Sequence, residues 1–380
     1  MMPSFDRQAM ARALQLAGRG NFSTSPNPRV GCVLSRGEEL VAEGWHQWAG
    51  EGHAEVNALA QLGDASGCTA YVTLEPCSHH GRTPPCAQAL IDARVSRVVV
   101  AMQDPNPLVA GRGLALLRAA GIEVECGLLA AQAQALNKGF VRRMAGGLPW
   151  LTAKSAMSMD GRTAMASGES QWITGAEARA DVQRLRAQSC ALVSGVDTLI
   201  DDDATFTVRP ESFRSAMHDY QGERWRQPLR VIMDSQLRTP GDAQLFGGGG
   251  DVIIATASRD AAKTAALQAA GAEVVVIASD DRGRIDPRAL LSELAQRGCN
   301  EVMLEAGASL TGAFLQAGLV DDWFIYMAPC LLGSEARPLA QWPMQQMAEQ
   351  QALTVVDCRA VGSDWRWHCR PAGVATREQG

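Results

Sequence analysis

Two successive open α/β units are the fold class that this chain predicts, and three observations predict it. Short apolar runs alternate with helix-period segments, the pattern of strands and helices interleaved in one sheet. The run Gly146-Gly147-Leu148-Pro149 interrupts that alternation and marks a hinge, giving domains 1–147 and 148–380. At 380 residues the chain is long enough for two or three separate cores.

The elements follow in order. Residues 6–17 read as an amphipathic helix with Ser4 as its cap and Gly18 as its stop. Pro26 and Pro28 hold a loop open before a strand begins near Gly31, and Leu40–His46 continues as strand. Val56–Leu62 has helical periodicity and ends at Gly63, whereas Tyr71–Leu74 is a buried strand that delivers Cys77. Pro84 and Pro85 suit the first turn of a helix running from Cys86 to Ile91. Strands at 97–102 and 122–126 then alternate with helices at 113–120 and 130–137.

Beyond the hinge, the strand from Trp150 ends in an Asp160-Gly161 turn. Thr174 and Glu177 spell a capping box for a helix reaching about Ala187. Strands are predicted at 191–195, 229–234, 251–256, 273–278 and 301–305, with a helix at 287–297. From Asp321 strands prevail, and the stretches 210–228 and 336–352 read as surface insertions.

Composition narrows the function. A chain 46% hydrophobic and 20% charged fits a soluble globular protein, and a net charge of -6 argues against a phosphate-backbone partner. Asp6, Arg7 and Arg12 interrupt the apolar positions at the start, so no signal peptide is read there, and no run approaches a membrane span. Ten cysteines at irregular spacing suit reduced thiols and a cytoplasmic location.

Chemistry concentrates between His53 and Cys86. The chain reads His53-Ala54-Glu55 and later Pro76-Cys77, with Cys86 opening a helix. One His and two Cys provide three zinc ligands, leaving the fourth position for a water whose pKa the metal lowers. The positive end of a helix favours the thiolate at Cys86, and Glu55 is placed to shuttle protons. This order resembles the zinc deaminases of nucleobases. Two other readings compete: a nucleic-acid deaminase, or a structural zinc with Cys32, Cys68 or His79 as fourth ligand. In the second part, Glu301–Glu305 is a strand that runs into Ala306-Gly307-Ala308-Ser309-Leu310-Thr311-Gly312-Ala313. By itself that is as much a tight strand-to-helix turn as a phosphate site.

Longer stretches carry a closer resemblance. Ser25 to Gly31, Gly44-Trp45-His46, His53-Ala54-Glu55, Glu75 to Cys86 and Gln103 to Pro107 resemble the deaminase part of the bifunctional riboflavin-biosynthesis deaminase-reductases. The long Cys77-to-Cys86 loop separates that family from cytidine and tRNA-adenosine deaminases, which usually carry Cys-x-x-Cys. Lys154, Asp160-Gly161, Gly168 to Thr174, Arg186, Thr198 to Arg209, Asp234-Ser235 and Glu305 to Ala313 resemble its reductase part.

The resemblance implies a cytidine-deaminase-like three-layer α/β/α domain followed by a dihydrofolate-reductase-like α/β domain, with zinc and NADPH as cofactors. It implies a phosphorylated ribosylaminopyrimidine as substrate, deaminated on the base and then reduced at the ribose to a ribityl chain. Glu55 and Lys154 are the implied catalytic residues, and His53, Cys77 and Cys86 the metal ligands. Ala156, Trp172, Thr198, Asp202, Ser235 and the run Gly307, Ala308, Ser309, Leu310, Thr311, Gly312, Ala313 would hold NADPH. Asn27, His46, His79, Arg82, Asp104 and Asn106 would hold substrate in the first part, with Arg82 on its phosphate. In the second part the implied contacts are Ser170, Arg186, Phe206, Arg209 and Glu305. The chain departs from the family at Asp202-Asp203-Ala204, where members often carry Asp-Asp-Pro, and at Gly175, where a larger residue is usual. The apolar run Trp323-Phe324-Ile325 suggests more surface than one core needs, hence a homo-oligomer, with a dimer expected.

Overall fold

The computed structural model describes residues 4–78, 85–107, 109–209, 211–212 and 224–372. The chain divides into two compact units, Met1–Gly147 and Leu148–Gly380.

The first unit contains α1 (Ser4–Gly18), β1 (Gly31–Arg36), β2 (Glu39–Trp45), α2 (Ala54–Leu59), β3 (Thr69–Val72) and α3 (Cys86–Asp92). It continues with β4 (Arg97–Val100), α4 (Arg112–Ala119), β5 (Glu123–Cys126), α5 (Ala130–Leu136) and α6 (Lys138–Met144). Its sheet has the order β2-β1-β3-β4-β5, with β3, β4 and β5 parallel and β1 antiparallel to both its neighbours.

Period-two alternation sends successive side chains to opposite faces, and the core divides accordingly. Cys32, Leu34, Ala70, Val72, Val98 and Val100 pack against Ala54 and Ala58 of α2, Leu90 of α3 and Leu117 of α4. Val33, Tyr71 and Val99 pack against Met10 and Leu16 of α1 and Phe140 of α6. Three α/β/α layers result. Asp6 anchors α1 to the sheet, accepting from the Tyr71 hydroxyl at 2.6 Å and from two Arg97 nitrogens at 3.0 and 2.8 Å.

The second unit opens with β6 (Trp150–Ser158), β7 (Arg162–Ala164), α7 (Ala176–Gln188), β8 (Ala191–Gly195), α8 (Val196–Asp202) and β9 (Leu229–Met233). Then come β10 (Val252–Thr256), α9 (Ala261–Ala269), β11 (Glu273–Val276), α10 (Pro287–Gln296), β12 (Glu301–Glu305) and α11 (Ala308–Gln316). The unit closes with β13 (Asp322–Ala328), β14 (Arg337–Pro338), β15 (Leu353–Val361) and β16 (Asp364–Pro371). The large sheet runs β11-β10-β9-β8-β12-β6-β13-β16-β15, parallel as far as β13 and antiparallel at the last two strands. Ligands of such parallel sheets bind beyond the carboxyl ends of the strands.

Four expectations are corrected. The helix at 176 has Gly175 as its N-cap, with no side-chain cap, so Thr174 and Glu177 make no capping box. Asp364 Oδ2 accepts the Gly175 amide at 2.7 Å instead, a partner 189 residues away. Trp323 and Ile325 are no surplus: β13 lies inside the sheet and both are buried in the core. The stretch 336–352 is only partly surface, since β14 pairs with β7 and Leu339, Ala340 and Trp342 pack on the same core. Helices α8 and α9 were not expected, although Asp260, which accepts from the Ala262 and Lys263 amides at 3.0 and 3.1 Å, is an ordinary N-cap signal for α9.

Candidate functional site

In the first unit the candidate metal ligands come from three different places. His53 is the N-cap of α2 with extended backbone (φ -73°, ψ 167°), and Cys86 is the first residue of α3. Gly44 lets α2 approach β2: a Cβ there would stand 2.5 Å from the Ala54 carbonyl oxygen and from the Ala58 nitrogen. Cys77 follows the end of β3, where the Ala87 amide donates to its carbonyl at 3.1 Å and the Cys86 amide to its Sγ at 3.3 Å.

His53 Nδ1 lies 3.2 Å from Cys86 Sγ and 3.6 Å from Cys77 Sγ, and the three ligand atoms all fall within 4.8 Å of one another. A nitrogen and two sulfurs so close suit zinc, whose ligand bonds of about 2.0–2.3 Å fit that spacing. The hydrogen bond from the Cys86 thiol holds Cys77 well below the usual thiol range, and the same bond pushes Cys86 up. His53 is raised by its hydrogen bond to Cys77. Cys32 and Cys68 are buried elsewhere in the core, so among the described residues the cluster has three ligands and the structural-zinc reading loses those two donors.

Glu55 is 3% exposed beside this cluster. Burial raises its carboxyl above the ordinary carboxylate range, against the pull of His53 and of a hydrogen bond to Cys86. Next to it, the His46 and His53 rings stand edge to face with centroids 5.4 Å apart. His46 is buried, which lowers its pKa and keeps it neutral near pH 7. Its Nδ1 donates to the Gly52 carbonyl at 3.1 Å, so Nε2 accepts from Asn27 Nδ2 at 3.0 Å. The amide oxygen is then the acceptor that Asn27 has to offer. His79 and Arg82 lie outside the described residues.

Glu75 is the feature that reading the sequence missed. Its buried carboxylate accepts four backbone amides: Asp104 at 3.1 Å and Gly111 at 2.9 Å on one oxygen, Gly113 at 2.8 Å and Leu114 at 3.3 Å on the other. It therefore caps α4 from a distance and ties the loop carrying Asp104 and Asn106 to the turn that carries Cys77. Asp104 Oδ1 in turn accepts the Asn106 amide at 2.8 Å, a local turn within that loop. The one available signal was a Glu immediately before Pro76-Cys77. A Cβ on Gly113 would stand 2.0 Å from the Pro76 carbonyl oxygen. Gly113→Ala is expected to destabilise the first unit by about 1–3 kcal/mol and to slow its chemistry. An unchanged denaturation midpoint would show that this contact has slack.

In the second unit, parallel register sets Glu305 opposite Lys154 on adjacent strands. Lys154 Nζ donates to Glu305 at 3.3 Å, and Arg186 reaches from α7 to donate through Nε at 2.8 Å and Nη2 at 3.0 Å. Two cations share one carboxylate, leaving net positive charge beside the strand ends. Ala156 is half-buried two residues further along β6. Ser170 donates to Asp202 at 3.0 Å, joining the loop before α7 to the end of α8. Trp172 is 66% exposed, with the Arg179 guanidinium 4.5 Å from its ring centre.

The turn entering α11 begins at Gly307, whose amide donates to Thr198 Oγ1 at 3.3 Å. No side chain caps α11, so its first amides suit a phosphate, and the donor set fits a dinucleotide there. Exposure is uneven along 307–313, the run expected to hold the cofactor. Gly307, Ser309, Leu310 and Ala313 keep some exposure, whereas Ala308, Thr311 and Gly312 are buried. Thr311 donates to the Ala306 carbonyl, and a Cβ on Gly312 would meet the Gln341 carbonyl oxygen at 2.1 Å. Gly312 is thus small for the sake of its own chain. Ser235 Oγ accepts the Ile285 amide at 3.3 Å, Phe206 is buried in the core, and Arg209 is exposed.

Comparisons with known proteins divide along the same line. Residues 3–102 match the model of the cytidine and deoxycytidylate deaminase zinc-binding region, and residues 149–366 that of the RibD C-terminal domain. The riboflavin biosynthesis protein RibD of Escherichia coli (strain K12) is 48% identical over 364 residues, covering 94% of this chain and 97% of the relative. That of Haemophilus influenzae is 47% identical, covering 96% of this chain and 97% of the relative. Among solved structures, Acinetobacter baumannii RibD, form 2, superposes with a TM-score of 0.89 at 44% identity, over 97% of this chain and 99% of that one. A diaminohydroxyphosphoribosylaminopyrimidine deaminase/5-amino-6-(5-phosphoribosylamino)uracil reductase from Thermotoga maritima superposes with a TM-score of 0.82 at 28% identity, with the same coverage of both chains.

Proposed function

The chain belongs to the RibD family of riboflavin-biosynthesis proteins, and from that premise we propose which residues carry each of the family's two activities. It is a bifunctional deaminase and reductase that uses zinc and NADPH. The observation that carries the reading is the cluster of His53, Cys77 and Cys86 with buried Glu55 beside it. We assign as first substrate a diaminopyrimidinone bearing a ribosylamino 5′-phosphate, and as second its deaminated product, the corresponding aminouracil.

His53, Cys77 and Cys86 would hold zinc, which when bound would make water a competent nucleophile at neutral pH. Glu55 takes a proton from that water as it adds to the ring carbon bearing the amine. Glu55 delivers that proton to the adjacent ring nitrogen, then carries the remaining hydroxyl proton to the amine, which leaves as ammonia while the carbonyl forms. Asn27, oriented by neutral His46, and the loop of Asp104 and Asn106 hold the heterocycle. His79 and Arg82 are assigned to substrate from the resemblance alone.

Thr198, Asp202, Ser235, Trp172, Ala156 and the Gly307 turn would hold NADPH, which when bound would supply the hydride that the ribose C1′ needs. Lys154, kept in place by Glu305, donates a proton to the ring oxygen as the C1′–O bond breaks, which opens the sugar to a ribityl chain. Ser170, Arg186, Phe206, Arg209 and Glu305 hold this substrate, and the surplus cation beside Glu305 suits its phosphate.

A homodimer is the proposed assembly. Its support is the edge strand β15, where Leu353, Val355 and Val356 are exposed. A cytoplasmic location is supported by ten free cysteines. Among the described residues, no helix is long and apolar enough to cross a membrane.

Mass analysis of products tests the whole reading. Incubation with the diaminopyrimidine substrate is expected to exchange the amine for oxygen without NADPH, and to add two hydrogens once NADPH is present. Chelating the zinc is expected to stop the first change and to leave reduction of supplied aminouracil substrate intact. A zinc-loaded protein that leaves the diaminopyrimidine unchanged would refute the substrate assignment.

A further inference from the structure

The segment Asp203–Arg209, between α8 and β9, contains neither helix nor strand. Two of its residues, Asp203 (φ 42°) and Phe206 (φ 52°), occupy the left-handed region that side chains disfavour. Such conformations persist where the surroundings over-determine them, and they gather at functional sites. Position 204 is Ala and no proline fixes the backbone between 203 and 209, so the stiffness has to come from elsewhere.

Side chains supply it. Asp203 accepts the Gln244 amide and side-chain nitrogen, both at 3.0 Å. Arg186 Nη1 donates to the Thr207 carbonyl at 3.0 Å, and Gln227 brackets Val208, accepting its amide at 2.8 Å and donating to its carbonyl at 2.9 Å. Gln183, itself buried, accepts the Arg209 amide at 2.8 Å.

Arg230 is the least expected of these tethers. It is 1% exposed on β9, and its guanidinium donates to three carbonyls: Thr205 at 3.2 Å, Gly250 at 2.7 Å, and Leu245. Its Nε has no partner, and the nearby charge of Asp251 acts on it without a bond. An apolar side chain would fill this volume without desolvating a cation. The turn at 247–250 closes over it, since a Cβ on Gly248 would meet Thr207 Cγ2 at 2.8 Å and Arg230 Nη1 at 2.9 Å.

We propose that Arg230 is a positioning residue for the reduction: it locks the path of residues 203–207 so that the segment ending in Arg209 is set to receive the phosphorylated substrate. This rests on the reading that Phe206 and Arg209 hold that substrate. Arg230 touches neither substrate nor cofactor; it acts through the Thr205 carbonyl and the turn above it.

The test uses the full chain with Arg230→Met, Arg230→Lys and Arg209→Ala. The readouts are reductase KM and kcat, NADPH affinity by fluorescence quenching, and deaminase rate. Arg230→Met is expected to raise the KM for the aminouracil substrate at least tenfold, with NADPH affinity and deamination within twofold of wild type. Arg230→Lys, which keeps a buried donor, is expected to recover part of that loss. An unchanged KM in Arg230→Met overturns the proposal whatever Arg209→Ala does. An unchanged Arg209→Ala beside a raised Arg230→Met instead overturns the role given to Arg209 and leaves the tether standing. Should Arg230→Met lose NADPH binding by unfolding, Gly248→Ala carries the test, because it displaces the guanidinium without removing it. A raised KM at unchanged NADPH affinity then supports the proposal, and an unchanged KM overturns it.

Discussion

Glu55→Gln is expected to cut deamination by about 10²–10⁴-fold, the range for removing a positioned acid–base group, while reduction of supplied aminouracil substrate continues at its normal rate. Glutamine keeps the shape and some of the hydrogen bonding of Glu55 but carries no proton between water and the leaving nitrogen. His53, Cys77 and Cys86 are untouched, so zinc content should stay at one per chain. The pH dependence adds a second readout. Burial holds the Glu55 carboxyl above the ordinary carboxylate range, and the group must be ionised to accept the first proton. Deamination by the wild type should therefore rise with pH through that raised value, and the residual rate of the variant should lack this limb. Full activity in Glu55→Gln would return the zinc to a structural role.

The second large effect belongs to Glu305. Burial by itself would raise its carboxyl, but Arg186 and Lys154 outweigh that and bring it down to about 2. Glu305→Gln leaves two partly buried cations sharing a neutral amide, and breaking such a pair costs at most about 3–5 kcal/mol, the figure for full burial. Loss of reductase activity and a lower unfolding midpoint of the second unit are expected, with deamination retained. The sign with pH follows from linkage. The folded-state value is depressed, so the stabilisation is complete above the ordinary glutamate range and is lost as pH falls through about 2. Acid should narrow the gap between wild type and variant, and neutral pH should show it in full. Equal midpoints at neutral pH would mean that the three groups do not act as a unit.

Much of the chemistry was legible because it is written locally. His53 and Glu55 are neighbours in sequence, Cys86 opens its own helix, and a zinc site needs donor atoms whose identity a sequence displays. The strands of both units were likewise legible, since short buried apolar runs have few other fates. The helix cap at Gly175 was not, because Asp364, which takes its amide, lies 189 residues away. Helix α8 was not legible because its seven residues are too few to display a helical period.

By itself the sequence determined the two α/β units and displayed the candidate zinc donors that the fold gathers, since periodicity and donor chemistry are properties of neighbouring residues. Only the tertiary structure decided how those groups are held. Glu75 collects four amides from a segment some thirty to forty residues away. Register between β6 and β12 sets Lys154 against Glu305, and Arg230 stiffens a segment that lacks a proline. Each of these rests on burying polar groups against partners remote in the chain. That burial is what makes the partner obligatory, and it exists only once the strands have assembled.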